Sequence, residues 1–246
     1  RQDSRSSPCN LTYRNEFTAL IFIPKTQART PHHASMGNPF VSPRIGSIED
    51  PLRLAVLISG GGSGLASLLR FQAEAPRSHQ TVLVLADSEG AGGLEHGRRY
   101  GIESKGIPVP TEHPISERRL AHEEIVESNL QSSGAELVVL SGYMRILTPS
   151  FVGKWKGRIV NVHPSLLPDF PGAHAHRDVL SAGVTMTGCT VHLVDEGVDS
   201  GPILAQRQVP VMPDDDEDSL QERVKLVEHV LYPEVIDLLC TGQISL

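Results

Sequence analysis

Four short runs limit what this chain can fold into: LRLAVLIS (52–59), TVLVLA (81–86), AELVVLSG (135–142) and RIVNVH (158–163). Each is too continuous to alternate between a wet and a dry face, and each is too short for a buried helix. Unbroken apolarity over such lengths is the mark of strands covered on both sides. The segments between them have helical spacing. LASLLRFQ follows the first run, AGGLEHGRRYG the second with Gly101 as its stop, and ISERRLAHEEIVESNLQSS precedes the third. Further on, AHRDVLSAG reads as a helix with Gly183 just past its end. CTVHLV and ILAQRQVPV read as the two strands of a hairpin. DSLQERVKLVEHVLYPEVIDLL is a long closing helix whose acidic start suits the positive end of the helix dipole. Strands alternating with helices in this rhythm predict a three-layer α/β fold with a mostly parallel central sheet.

Ligands of such sheets bind outside the carboxyl ends of the strands. Four chemically loaded segments each follow a predicted strand: Gly60–Gly64, Met144–Arg145, Asn161–His163 and Asp195–Asp199. They are therefore expected to converge at one edge.

Composition narrows the partners. The chain carries a net charge of −7, which disfavours nucleic acid, and 39% of its 246 residues are hydrophobic, enough for a sizeable core. No run approaches the roughly 18 apolar residues of a membrane span, so no membrane partner is expected. Cys9, Cys189 and Cys240 are too few and too scattered for a disulfide framework and read as free thiols. Residues 1–48 hold six basic residues against Asp3 and Glu16 and are rich in Ser, Pro and Thr. Arg-rich, Ser-rich and acid-poor is the pattern of a transit peptide. Residues 1–52 are thus predicted to be a disordered leader, directing residues 53–246 to a plastid or another organelle. A tail without an address, or a start at Met36, would instead leave the protein in the cytoplasm. The first 50 residues contribute six basic and four acidic groups, a charge of +2, so the remainder stands at −9.

The loop SGGGSGL (59–65) joins the first strand to the first helix. Glycines permit a tight turn, and free amides at a helix start bind anions. Leu65 stands where the dinucleotide fingerprint needs its third glycine, and the Lys-Ser/Thr of a nucleotide P-loop is missing. A monophosphate cradle fits better than an NAD or ATP site, although glycines also serve plain turns.

In NVHPSLLPDFPG (161–172), Asn161 and His163 lie two apart on a strand and share a face. A side-chain amide can donate to a developing oxyanion, and an imidazole can donate or accept a proton near neutral pH. Asp199 lies in VDEGVDSG, after another strand, and a carboxylate beside the His would favour imidazolium. Neither Ser165, Ser141 nor Cys189 sits in a nucleophile elbow. The trio therefore suits direct attack of one substrate on another, such as carbonyl transfer to an amine. His163, His174, His176 and His192 with Asp199 could in principle hold zinc, but His-x-His is an uncommon zinc spacing, and no metal is expected.

Taken together, LISGGGSGL, GYMRILTPSFV, NVHPSLLPDFPG, HRDVL, GVTMTGCTVHLVDEGVDSGPIL and RVKLVEH resemble the folate-dependent glycinamide ribonucleotide formyltransferases, in order, from Arg53 to Leu246. The resemblance implies a Rossmann-like formyltransferase fold and transfer of a formyl group from the cosubstrate 10-formyltetrahydrofolate to the amine of phosphoribosylglycinamide. It implies that His163 is the general acid, Asn161 the oxyanion donor, and Asp199 the group that positions His163 and a water. Gly61, Gly62, Ser63 and Gly64 would hold the substrate phosphate, with Lys225 and Glu228 near the phosphate and ribose. The folate would lie along Leu140, Tyr143, Met144, Arg145, Ile146, Leu147, Val152, Asn161 and the loop Asp195, Glu196, Gly197, Val198 and Asp199, with Arg118 near its entrance. A homodimer is compatible with the family. Gly64 departs from the pattern, standing where the family usually has Asn, so a side-chain donor is lost. Related readings fit less well. In this sequence nothing follows the last helix to serve as the tRNA-binding domain of a methionyl-tRNA formyltransferase. Residues 1–52 are too short for the regulatory domain of a formyltetrahydrofolate hydrolase. A non-catalytic phosphoribosyl-ligand sensor would not need Asn161, His163 and Asp199 together.

Overall fold

The computed structural model describes residues 40–41 and 43–244. Most of the predicted leader, with Cys9 and Met36, lies outside the described residues. The predicted α/β alternation is present as a seven-stranded sheet in the order β3-β2-β1-β4-β5-β6-β7. β1 (Leu52–Ile58), β2 (His79–Ala86), β3 (Glu103–Gly106), β4 (Leu137–Leu140) and β5 (Ile159–His163) run parallel. β6 (Met186–Leu193) and β7 (Ile203–Pro210) add the predicted hairpin, antiparallel, to the edge of the same sheet.

Alternate strand residues feed two separate cores, which is why the runs are apolar throughout. Val56, Val139, Val160 and Val191 point into one core beneath α1 (Ser63–Glu74), α2 (Leu94–Arg99), α5 (Ala175–Ala182) and α6 (Glu217–Cys240). Ala55, Leu57, Val138, Leu140 and Ile159 point into the other, beneath α3 (Arg118–Ser132) and α4 (Pro149–Lys154). The result is a doubly wound, Rossmann-like three-layer fold. Its strand order reverses between β1 and β4, and such a switch point opens a crevice for ligands.

Two elements were not anticipated. β3 is a four-residue edge strand, ESKG, with no apolar pattern to betray it. α4 is a six-residue helix started by Thr148, whose hydroxyl accepts the Phe151 amide, with Pro149 in the first turn. The boundary drawn between 52 and 53 also shifts, because Leu52 is fully buried as the first residue of β1. Just before it, Arg44 pairs with Glu136 at 2.5 Å and with Asp50 at 3.1 Å, and the Gly46 amide donates to the Cys240 carbonyl. Residues 43–51 thus lie against the domain.

α6 anchors the layers from below. Asp216 caps it through a capping box with Ser219, and the buried Tyr232 hydroxyl reaches the carbonyls of Leu140 and Val160 at 2.8 and 2.9 Å. That contact ties the helix to β4 and β5 together.

Candidate active site

β1 ends at Ile58, and the chain then turns through Gly60–Gly62. Gly62 adopts φ 65 as the N-cap of α1, a conformation that costs little without a Cβ. Its neighbour across the turn is Gly93, whose amide donates to the Gly60 carbonyl at 2.9 Å. The imidazole of His96 meets the Gly61 carbonyl at 3.2 Å, giving the loop a second brace. Among the described residues, no backbone carbonyl accepts from the amides of Ser63, Gly64 or Leu65, the first of which open α1. A cavity of about 380 Å³ lies over them, lined by Gly60–Gly64, Ser141, Val162, Pro164, His176, Lys225, Glu228 and His229 among others. Burial pushes the Glu228 carboxyl up to about 7, with Lys225 opposing the shift. It lowers the imidazoles of His176 and His229, so each favours its neutral form.

On the other face of β5 a second cavity, of about 170 Å³, is lined by Leu140, Tyr143, Arg145, Ile146, Leu147, Val152, Asn161, His192, Val194 and Asp195–Asp199. Met144 lines the first cavity, and its amide is held by the Ser59 hydroxyl at 2.9 Å. Arg145 is fixed by Asp87 at 2.9 Å. A third hollow of about 240 Å³ adjoins, lined by Arg119, His122, Glu123 and residues 143–147. Arg118 lines none of these three. Its guanidinium is spent on the carbonyls of His113 and Thr111, and Arg119 is the arginine that faces the hollow.

The segment Asp195–Asp199 reaches the site by a route the sequence did not suggest. Because β6 is antiparallel, its end lies beside the start of β5: Leu193 pairs with Val160, and the Val194 amide donates to Ile159. Following a strand therefore does not place this segment at the carboxyl edge. The loop folds back across the sheet face before re-entering at Ile203, and Asp199, at φ 50, carries its carboxylate up to His163.

Three side chains then meet. Asp199 Oδ2 lies 3.2 Å from His163 Nδ1 and accepts the Gly172 amide at 2.8 Å. His163 Nε2 lies 2.8 Å from the carbonyl of Phe170, itself in the left-handed region at φ 55. Both nitrogens of His163 thus face oxygen acceptors, and only the imidazolium donates to both. His192, opposite Asn161 across the β5–β6 pair, was weighed from the sequence only as a zinc ligand and not as a partner of Asn161. Its Nδ1 lies 2.9 Å from the Leu193 carbonyl, which fixes the proton there and leaves Nε2 to accept from Asn161 Nδ2 at 3.2 Å. Burial lowers the His192 pKa, in keeping with this neutral tautomer, so its approach to Asp199 Oδ1 at 3.6 Å is not an ion pair. The chain of bonds from Leu193 through His192 orients the Asn161 amide, whose second N–H has no partner among the described residues and is available to a ligand. The cross-strand position is the signal that could have found His192, but it needs the hairpin register. No group of three or more His, Cys, Asp or Glu among the described residues is placed to hold a metal ion.

A family model described as formyl transferase matches residues 52–236. The chain belongs to the formyl transferase family. The Escherichia coli (strain K12) phosphoribosylglycinamide formyltransferase is 36% identical over 197 residues, covering 79% of this chain and 90% of the bacterial protein. The bovine trifunctional purine biosynthetic protein adenosine-3 is 42% identical over 194 residues, and the chain spans only 19% of its length. The crystal structure of glycinamide ribonucleotide transformylase 1 from Symbiobacterium toebii superposes with a TM-score of 0.75 at 39% identity. That match covers 80% of this chain and 91% of the other.

Proposed function

We propose that the protein transfers the formyl group of 10-formyltetrahydrofolate to the amine of phosphoribosylglycinamide, a step of purine biosynthesis. The observation that carries this reading is the position of β5 between the cavities. Val162 and Pro164 line the cavity with the glycine-loop amides and Lys225, while Asn161 lines the other, with Asp199 and the 143–147 segment. A phosphate suits the free amides and dipole of α1, with Lys225 as counter-charge. A flat heterocycle suits the apolar part of the other cavity's wall, formed by Leu140, Ile146, Leu147, Val152, Val194 and Val198.

The amine would attack the formyl carbon as the ligands meet at the rim of β5. Charge then develops on the formyl oxygen, and the free N–H of Asn161 is available to it. The proton of His163 now shared with Phe170 is the one a substrate oxygen or leaving nitrogen would take over. Asp199, 3.2 Å from Nδ1, holds the ring in place. The amine loses a proton and the folate nitrogen gains one, so the transfer is neutral overall.

The test follows release of tetrahydrofolate by residues 43–246 with and without phosphoribosylglycinamide. Release that requires the amine supports the transferase; release without it would make the protein a hydrolase. We also propose that the basic, Ser-rich segment ahead of residue 43 acts as an organellar address. A fluorescent fusion of that segment should enter plastids, and uniform cytoplasmic fluorescence would refute it.

A further inference from the structure

Gly64 leaves the glycine loop without the side-chain donor that the family pattern supplies, and the structure shows what occupies the vacated space. A Cβ built on Gly64 would lie 2.6 Å from the hydroxyl of Ser141. Ser141 comes from a different element, the residue just past β4, on the far side of the switch point from the loop that holds Gly64. Its amide donates to the Leu57 carbonyl, which seats the residue beside the end of β1.

Of the other hydroxyl residues that line this cavity, Ser59 accepts the Met144 amide, Tyr232 bonds to the carbonyls of Leu140 and Val160, and Ser63 is exposed. The Ser141 hydroxyl lines the cavity and has no hydrogen-bond partner among the described residues, although the residue is 93% buried by its exposure of 7%. A hydroxyl that opens into the cavity and is left unpaired is an unused donor, which a ligand can satisfy.

We infer that Ser141 is a specificity residue for the phosphorylated substrate, its hydroxyl donating to a phosphate oxygen from β4 in place of a side chain at position 64. The inference rests on the phosphate reading of the glycine loop. Position 64 and Ser141 compete for one volume, so the donor can come from either side of the crevice but not from both. The Ser141 side chain can rotate out of the way, so Gly64→Asn alone exchanges one donor for another and leaves affinity nearly unchanged. Removing the hydroxyl first should make the same substitution beneficial.

The experiment measures binding of phosphoribosylglycinamide and of its dephosphorylated counterpart by calorimetry, for the wild type, Ser141→Ala, Gly64→Asn and Ser141→Ala/Gly64→Asn. Thermal melts would verify that each is folded. A hydrogen bond to a charged group predicts about a tenfold weaker affinity of Ser141→Ala for the phosphorylated ligand, with the dephosphorylated one unaffected. The double variant should recover most of that loss. If the wild type binds both ligands equally, the phosphate site itself is wrong and the inference falls with it. If the wild type prefers the phosphorylated ligand and Ser141→Ala keeps the full preference, the phosphate site stands and the role of Ser141 is refuted. A double variant no tighter than Ser141→Ala would refute the exchange of donors.

Discussion

Asp199→Asn separates the charge of this carboxylate from its hydrogen bonds. In the native site one oxygen, Oδ2, accepts from both Gly172 and His163, while Oδ1 faces the unprotonated Nε2 of His192 at 3.6 Å. An amide fits the same demands: its oxygen can take the place of Oδ2, and its NH2 then faces a nitrogen lone pair. The fold of the loop should survive and only the charge should go. At the 3.2 Å separation of Asp199 and His163, a unit pair is attracted by about 5 kcal/mol for an effective dielectric of about 20. Solvation recovers part of that, and a hydrogen bond to a charged group is worth about 1.5–3 kcal/mol net. Turnover should therefore fall by about tenfold to a hundredfold, with little change in KM for either substrate. Steady-state kinetics of folate release measures this directly. Wild-type turnover would show that the charge of this carboxylate contributes nothing beside His163.

Other expectations follow from single contacts. Burial raises the Glu228 carboxyl from 4.5 to about 7, so the folded chain holds this proton more tightly than the unfolded one. The stabilisation is complete below the unfolded pKa and is lost as pH rises through 7, with a ceiling of ~3 kcal/mol. Glu228→Gln should therefore raise the melting temperature more at pH 8.5 than at pH 5, and an equal effect at both would contradict the buried proton. Tyr232→Phe leaves the Leu140 and Val160 carbonyls without their hydroxyl, and denaturant unfolding should show a loss of about 1–3 kcal/mol; an unchanged midpoint would mean that α6 is not tied to the site this way. Gly62→Ala forces a side chain into φ 65 and places its Cβ 2.9 Å from Gly93. It should cost about 1–2 kcal/mol from the backbone alone and raise KM for the phosphorylated substrate, and a normal KM would free the loop of any role in binding it.

The parts of this protein that could be read in its sequence are those set by local pattern. Doubly covered strands must be apolar on both faces, which made β1, β2, β4 and β5 visible, and a glycine-rich turn before a helix has few other uses. Asn161 and His163 share a face because they are two apart on a strand. What escaped depends on contacts distant in the chain. β3 has no apolar face and exists only as a partner for β2. α4 is six residues long, too short for periodicity, although Thr148 and Pro149 are a recognisable start. The orienting role of His192 depends on the register that sets it opposite Asn161. Ser141 looked like the last residue of an ordinary strand until its distance from Gly64 was known. Arg118 was expected near the folate entrance; its guanidinium bonds to the carbonyls of His113 and Thr111, and its neighbour Arg119 is the one that lines a hollow beside residues 143–147.

The placement of the two cavities on opposite faces of β5 makes the sheet a partition. One ligand would rest among α1, α5 and α6, the other beside α4, with the backbone of β5 between them. They would meet at the rim where β5 ends. Neighbouring strand residues stand about 3.3 Å apart, so ligands seated against adjacent positions come within reacting distance without either layer closing on the other. Each compartment can also drift in sequence on its own account. The exchange between Gly64 and Ser141 is confined to one side of that wall, so folate recognition on the other side need not register it.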